Sequence, residues 1–180
     1  MGCDGPGYGT VNAPSPPGAI RVGVSTLYGW DQTFDHVTTS EMVNSGSVAH
    51  FSGRGPDARG AAGVDVVATG AWGPGDTPLN HTLDADVAWE SWGGGSRSAN
   101  VAAGVLALVY QAWAGSHGGW PTAEQARALL MSGAADTFDD PLVTGAGLVD
   151  ADRSTDLADG PALGPSVGVI VEPPGFSAGG

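Results

Sequence analysis

The residues best suited to chemistry in this 180-residue chain stand in "GGGSRSAN", where Gly94, Gly95 and Ser96 lie directly before the apolar run Val101 to Trp113. A serine hydroxyl attacks a carbonyl carbon once a neighbouring base accepts its proton. At the start of a helix, unpaired backbone N–H groups and the positive end of the helix dipole face the oxyanion that then develops, so the Ser96 N–H is itself a candidate donor. The glycines before it allow close approach of a substrate backbone. The same placement has a second reading, because serine is among the favoured helix caps. The isolated motif leaves both open.

No partner for Ser96 is evident among the other reactive side chains. His36, His81 and His117 fall in loop-like stretches and His50 precedes Phe51 in a strand-like one, so none is assigned as a base. Cys3 is the only cysteine, which excludes an internal disulfide and a cysteine-based zinc site. The Asp and Glu residues scattered over 31 to 41 and 76 to 90 lack the regular oxygen-ligand spacing of a calcium loop. They read as a solvated acidic face, with no metal ligand or cofactor assigned and calcium left open.

Composition narrows the classes further. The formal charge is −13, there is no lysine, and all six positive charges are arginines. A nucleic-acid partner needs a basic face and is therefore excluded. With 41% hydrophobic residues the chain is long and apolar enough for one domain with a core. Its 31 glycines and 13 prolines interrupt that apolar content at many turns, which predicts a loop-rich fold. The longest apolar stretch is too short to span a bilayer, and the N-terminus shows neither the basic nor the apolar region of an export signal.

The elements that must position Ser96 follow from hydrophobic spacing. In "AIRVGVST" Ile20, Val22 and Val24 alternate with small or polar residues and predict a buried strand. "SVAHFSGRGP" and "GVDVVATGA" predict two further β segments, and residues 71 to 92 a long loop with Trp72, Trp89 and Trp92 as an aromatic cluster. From Ser96 to about Ala114 a helix apolar on almost every face belongs inside a domain. "PTAEQARALL" predicts a second helix, with Thr122 and Gln125 as a capping box and Ala126, Leu129 and Leu130 buried. "GAGLVDAD" closes the domain with a turn and short strand. Residues 1–152 are thus read as the domain and 153–180 as a Pro/Gly-rich C-terminal linker or the start of a further downstream domain, with one possible strand at Val167 to Val171.

Five segments, in order, carry a resemblance to the C-terminal half of the catalytic domain of subtilisin-like serine peptidases, the subtilases, over residues 2 to 151. "FSGRGP" resembles Phe-Ser-Ser-Arg-Gly-Pro, "VDVVATG" resembles Pro-Asp-Val-Val-Ala-Pro-Gly, and "TGAGLVDAD" is similar to Gly-x-Gly-Leu-Val-Asp. "GGSRSANVAAG" resembles the nucleophile motif Gly-Thr-Ser-Met-Ala-x-Pro-x-Val-Ala-Gly, which places the serine at Ser96. "GCDGPGYGTVNAP" resembles the loop that begins Gly-Asn-x-Gly, which places Cys3 at the oxyanion-hole asparagine. Departures include Gly95 for Thr, Arg97 for Met, Ser98 for Ala and Asn100 for Pro.

The resemblance implies an α/β three-layer fold with a mainly parallel sheet, present as its C-terminal half, and a serine endopeptidase acting on protein or peptide substrates through an acyl-enzyme on Ser96. It implies that Cys3 stands at a substituted oxyanion position, that Asn12, Gly94 and Gly95 lie near substrate, and that Asp65 is structural. The Asp and His of a subtilase triad precede the oxyanion loop, so a missing N-terminal half carrying them is the implied partner. These 180 residues alone are then expected to be inactive and marginally stable. The alternative is a degenerate, inactive domain that binds a peptide or partner. An extracellular or cell-envelope location is what the resemblance implies.

Overall fold

The structure, a computed structural model, describes residues 3–11, 18–26, 47–71, 73–76, 89–137 and 139–161, with 73–76 and 89–92 described through their backbone pairing. Strand β1, Val22–Thr26, and strand β2, Val66–Ala71, pair in parallel, with Val22 opposite Val66 and Val24 opposite Ala68. Val66, Val67 and Ala68 are all fully buried. A run without exposed alternation is what a parallel strand covered on both faces requires.

Short segments extend this pair at both edges. Leu148 bridges to Val67 in parallel and to Ala135 antiparallel, with Val67 N–H donating to the Gly147 carbonyl and Val149 N–H to the Val67 carbonyl, both at 2.9 Å. At the outer edge of β1, Ala49 N–H donates to Val24 O at 2.8 Å and Val24 N–H to the buried Ser52 Oγ at 3.0 Å. The expected strand in "SVAHFSGRGP" is therefore a loop with a single bridge, Val48 to Ser25. Directly after that pair the chain turns, Ser52 N–H donating to the Ala49 carbonyl at 2.9 Å, and the Ser52 side chain takes the place of a backbone acceptor for Val24 N–H. Strands β3, Gly73–Asp76, and β4, Trp89–Trp92, pair antiparallel inside the stretch expected to be a loop; the aromatic cluster expected there lies outside what is described.

Helix α1, Gly95–His117, and helix α2, Ala123–Gly133, cover one face of the sheet. There Ala102, Leu130 and Ala134 pack with Val22, Val66 and Ala68, while Val11, Val64 and Val67 form a second cluster. The capping box at α2 is complete, with Gln125 N–H donating to Thr122 Oγ1 at 3.2 Å and Thr122 N–H to Gln125 Oε1 at 2.8 Å. Helix α3 is one turn, Pro141–Thr144.

Two expectations change. Helix α4, Ala151–Asp159, occupies the start of the stretch read as linker from residue 153, and Ala158 is buried with Val109 and Leu129. Small Ser154 and Ala158 let it approach α1 and α2 closely; Gly133 has no room for a Cβ beside Ser154. Helix α1, expected to be buried all round, is covered on one side: Ala102 and Val109 are buried, Val101, Val105 and Leu106 half-buried, and Leu108 is 46% exposed. The strand expected at Val167 to Val171 lies outside the described residues.

Candidate active site

The start of α1 is built by the end of β2. Gly94 N–H donates to the Gly70 carbonyl at 2.7 Å, and Gly94 adopts φ 116°, a conformation that glycine reaches without a Cβ clash. A Cβ on Gly70 would collide with Ser98 Oγ, so glycine at the strand end and serine in the first turn are one packing unit. Arg97 N–H and Ser98 N–H both donate to the Gly94 carbonyl, at 3.1 and 3.3 Å.

This geometry separates the two readings of Ser96. The N-cap is Gly94, with no side-chain cap bond, and Ser96 is the second residue of the helix, exposed at its surface. The residue that buries itself below the turn is Ser98. Ser96 therefore does not cap α1; it stands on the helix surface in the first turn, where Cys3 takes the Gly95 N–H and the Gly94 carbonyl takes the Arg97 and Ser98 N–H groups.

Cys3, 92 residues away in sequence, reaches this same turn. Gly95 N–H donates to Cys3 Sγ at 3.3 Å, and the thiol is exposed. The structure so brings together Cys3, Gly94, Gly95 and Ser96. Asn12 lies outside the described residues, as do His36, His81 and most of the acidic segments 31–41 and 76–90. Of the two described histidines, His117 stacks on Trp113 with ring centroids 4.0 Å apart, at the far end of α1, and His50 meets the Phe51 ring edge-on at 5.5 Å. Neither is bonded to Ser96. Arg97 is half-buried, and burial lowers its pKa from the usual guanidinium value.

The loop carrying Cys3 is fastened by residues that no local pattern marks. Tyr8 Oη donates to Asp140 Oδ2 at 2.7 Å across 132 residues, and Asp140 Oδ1 accepts from Leu142 N–H at 2.9 Å. The Leu142 amide first, and the Tyr8 hydroxyl second, hold the Asp140 carboxyl below the usual carboxylate range; the bond to Asp140 in turn raises the Tyr8 phenol.

Directly before β2, buried Asp65 joins the approaches to β1 and β2. It accepts from Arg21 N–H at 2.7 Å and pairs with the Arg21 and Arg127 guanidinium groups at 3.1 and 2.8 Å. Burial alone raises its pKa, but the bonds from Arg21 and Arg127 outweigh that and leave the carboxyl below its ordinary value. Asp57 adds a second carboxylate to Arg21 at 3.2 Å. Apart from Asp65, these partners carry no motif that sequence alone would single out.

Comparison with known proteins gives a consistent result. The sequence profile of the Subtilase family matches residues 7–159. No curated protein sequence matches the chain. Among solved structures it is similar to a lanthipeptide protease, with TM-score 0.51, 20% identity, and coverage of 78% of this chain and 43% of that one. It is also similar to fervidolysin from Fervidobacterium pennivorans, a keratinolytic enzyme related to subtilisin, with TM-score 0.55 and 23% identity. That match covers 82% of this chain and 20% of the other. The chain thus spans less than half the length of either structure.

Proposed function

We propose a function from the premise that this chain belongs to the subtilase family: it supplies the nucleophile-bearing part of a serine endopeptidase that cleaves peptide bonds through an acyl-enzyme on Ser96. The observation that carries this reading is the start of α1, where an exposed Ser96 follows a glycine turn and the Cys3 side chain meets the Gly95 amide. A carbonyl carbon attacked by Ser96 Oγ would place its oxygen beside the Ser96 N–H and the Cys3 thiol. Gly94 and Gly95 leave the substrate backbone room beside that turn. The helix dipole favours the negative charge formed there.

The proton acceptor and its orienting carboxylate come, in this reading, from a preceding part of a subtilase domain, on the same chain or a separate one. The match to less than half of each solved relative supports that view. Residues 1–152 with α4 then form the catalytic part, and this reading takes an extracellular or cell-envelope setting from the family resemblance. Among the described residues no helix is long and apolar enough to cross a membrane.

A second reading, a degenerate subtilase-like domain that binds a peptide or partner without cleaving it, is favoured by one feature. Cys3 stands where an amide donor is expected, and a thiol donates weakly. Labelling with a fluorophosphonate serine probe distinguishes the two. Labelling of this chain, or of this chain with its upstream sequence, that disappears in Ser96→Ala supports the peptidase. Absence of labelling in both folded proteins supports the binding module.

A further inference from the structure

The loop that carries Cys3 is attached mostly through its backbone. Gly5 N–H donates to the Phe51 carbonyl, Gly9 N–H to the Gly55 carbonyl and Thr10 N–H to the Arg54 carbonyl, each at 3.0 Å. Between these anchors the sequence "GPGYG" offers one large side chain, Tyr8, and Tyr8 is 55% exposed. Burial therefore does not account for an aromatic residue there. Its hydroxyl bond does, because Asp140 is itself fixed by Leu142 N–H, and the Leu142 carbonyl accepts from Gly55 N–H at 2.8 Å. The contacts close a ring: Tyr8 to Asp140, α3 to Gly55, and Gly55 back to Gly9.

We infer that Tyr8 and Asp140 form a clasp that fixes the Cys3 loop against the start of α1, which makes both positioning residues for the site around Ser96. The inference rests on the reading of Ser96 as nucleophile. Glycines on either side of Tyr8 give the loop a wide choice of backbone conformations, so each tether removes alternatives that the chain would otherwise sample. The acceptor is an ionised carboxylate, and a charge-assisted bond is the stronger kind. Displacing a catalytic group by about 1 Å already costs rate on the order of a hundredfold, and Cys3 lies five residues from the clasp.

Tyr8→Phe removes the hydroxyl and keeps the ring; Asp140→Asn removes the charge and keeps an oxygen for Leu142. Amide hydrogen exchange on the full chain should show Gly5, Gly9 and Thr10 exchanging about threefold to tenfold faster in either variant, with the α2 amides unchanged. The double variant should go no further than the single ones. Exchange within twofold of the parent, acceleration spread over α2 as well, or effects that multiply in the double variant would overturn the clasp. Where Ser96 labels with the fluorophosphonate, the maximal inactivation rate should fall about threefold to tenfold with the inhibition constant unchanged. Should Ser96 not label in any variant, with or without the upstream sequence, the peptidase reading fails, and the exchange rates still decide the clasp.

Discussion

At the scale of single residues, the site turns on which atoms lie within reach of Ser96. The Gly95 amide and the Cys3 thiol meet at 3.3 Å, so position 3 is close enough to act on anything held at the first turn of α1. In the peptidase reading a weak donor there would limit stabilisation of an oxyanion, since loss of such a donor costs about a hundredfold to a thousandfold. Cys3→Asn should therefore raise the fluorophosphonate labelling rate of Ser96 by up to about a hundredfold. Stopped-assay labelling of the two proteins side by side checks this; an unchanged or lower rate would remove Cys3 from the oxyanion position. Gly70 shows the same dependence on single atoms, since its missing Cβ is the space that Ser98 occupies.

At the scale of elements, α1 carries the site and α2 and α4 hold α1 in place. Val109, Leu129 and Ala158 come from the three helices in turn and form one buried cluster, with Trp113 packed against it. Ala158 is fully buried, so Ala158→Asp would place an unpaired carboxylate among apolar side chains and should destabilise the protein by about 3 kcal/mol or more. Thr122→Ala removes one half of an exposed capping box and should cost about 1 kcal/mol. Urea unfolding of both variants tests the ranking. A mild effect at Ala158 would mean that α4 does not pack as described and would return residues 153–160 to a linker.

At the scale of the molecule, the charge network around Asp65 ties the approach to β1, the approach to β2 and helix α2 into one body. Its carboxyl is held below the ordinary value in the folded state, so the folded protein binds fewer protons there than the unfolded chain does. The contribution is complete above about pH 4, the ordinary aspartate range, and is lost as pH falls below it. Acid unfolding followed by circular dichroism should thus steepen below about pH 4. Asp65→Asn should destabilise at neutral pH by about 3 kcal/mol, leaving two arginines without their shared partner, and should flatten the acid limb. The same acid limb in both proteins would dismiss the network as the cause. The exposed side of α1, with Leu108 46% open to solvent, belongs to this scale too: a helix apolar on nearly all faces is covered here on only one.

Hydrophobic spacing by itself determined β1, β2, α1 and α2, because the period of apolar residues and the capping box at Thr122 are local properties that a helix or strand expresses wherever it sits. The ordered set of short motifs determined the family, and with it the parallel α/β fold. Sequence could not distinguish Ser96 as cap from Ser96 as exposed second residue, since that depends on where Gly94 meets Gly70 at the end of a strand more than twenty residues earlier. Nor could it read α4, whose many polar residues leave only Ser154 and Ala158 buried, both too small to give a strong apolar period. The pairs Cys3 with Gly95 and Tyr8 with Asp140 span 92 and 132 residues. The family motifs already placed Cys3 beside Ser96, but contacts of that range form only when the sheet and helices have brought the loops together, so the Cys3–Gly95 and Tyr8–Asp140 bonds themselves were decided by tertiary structure.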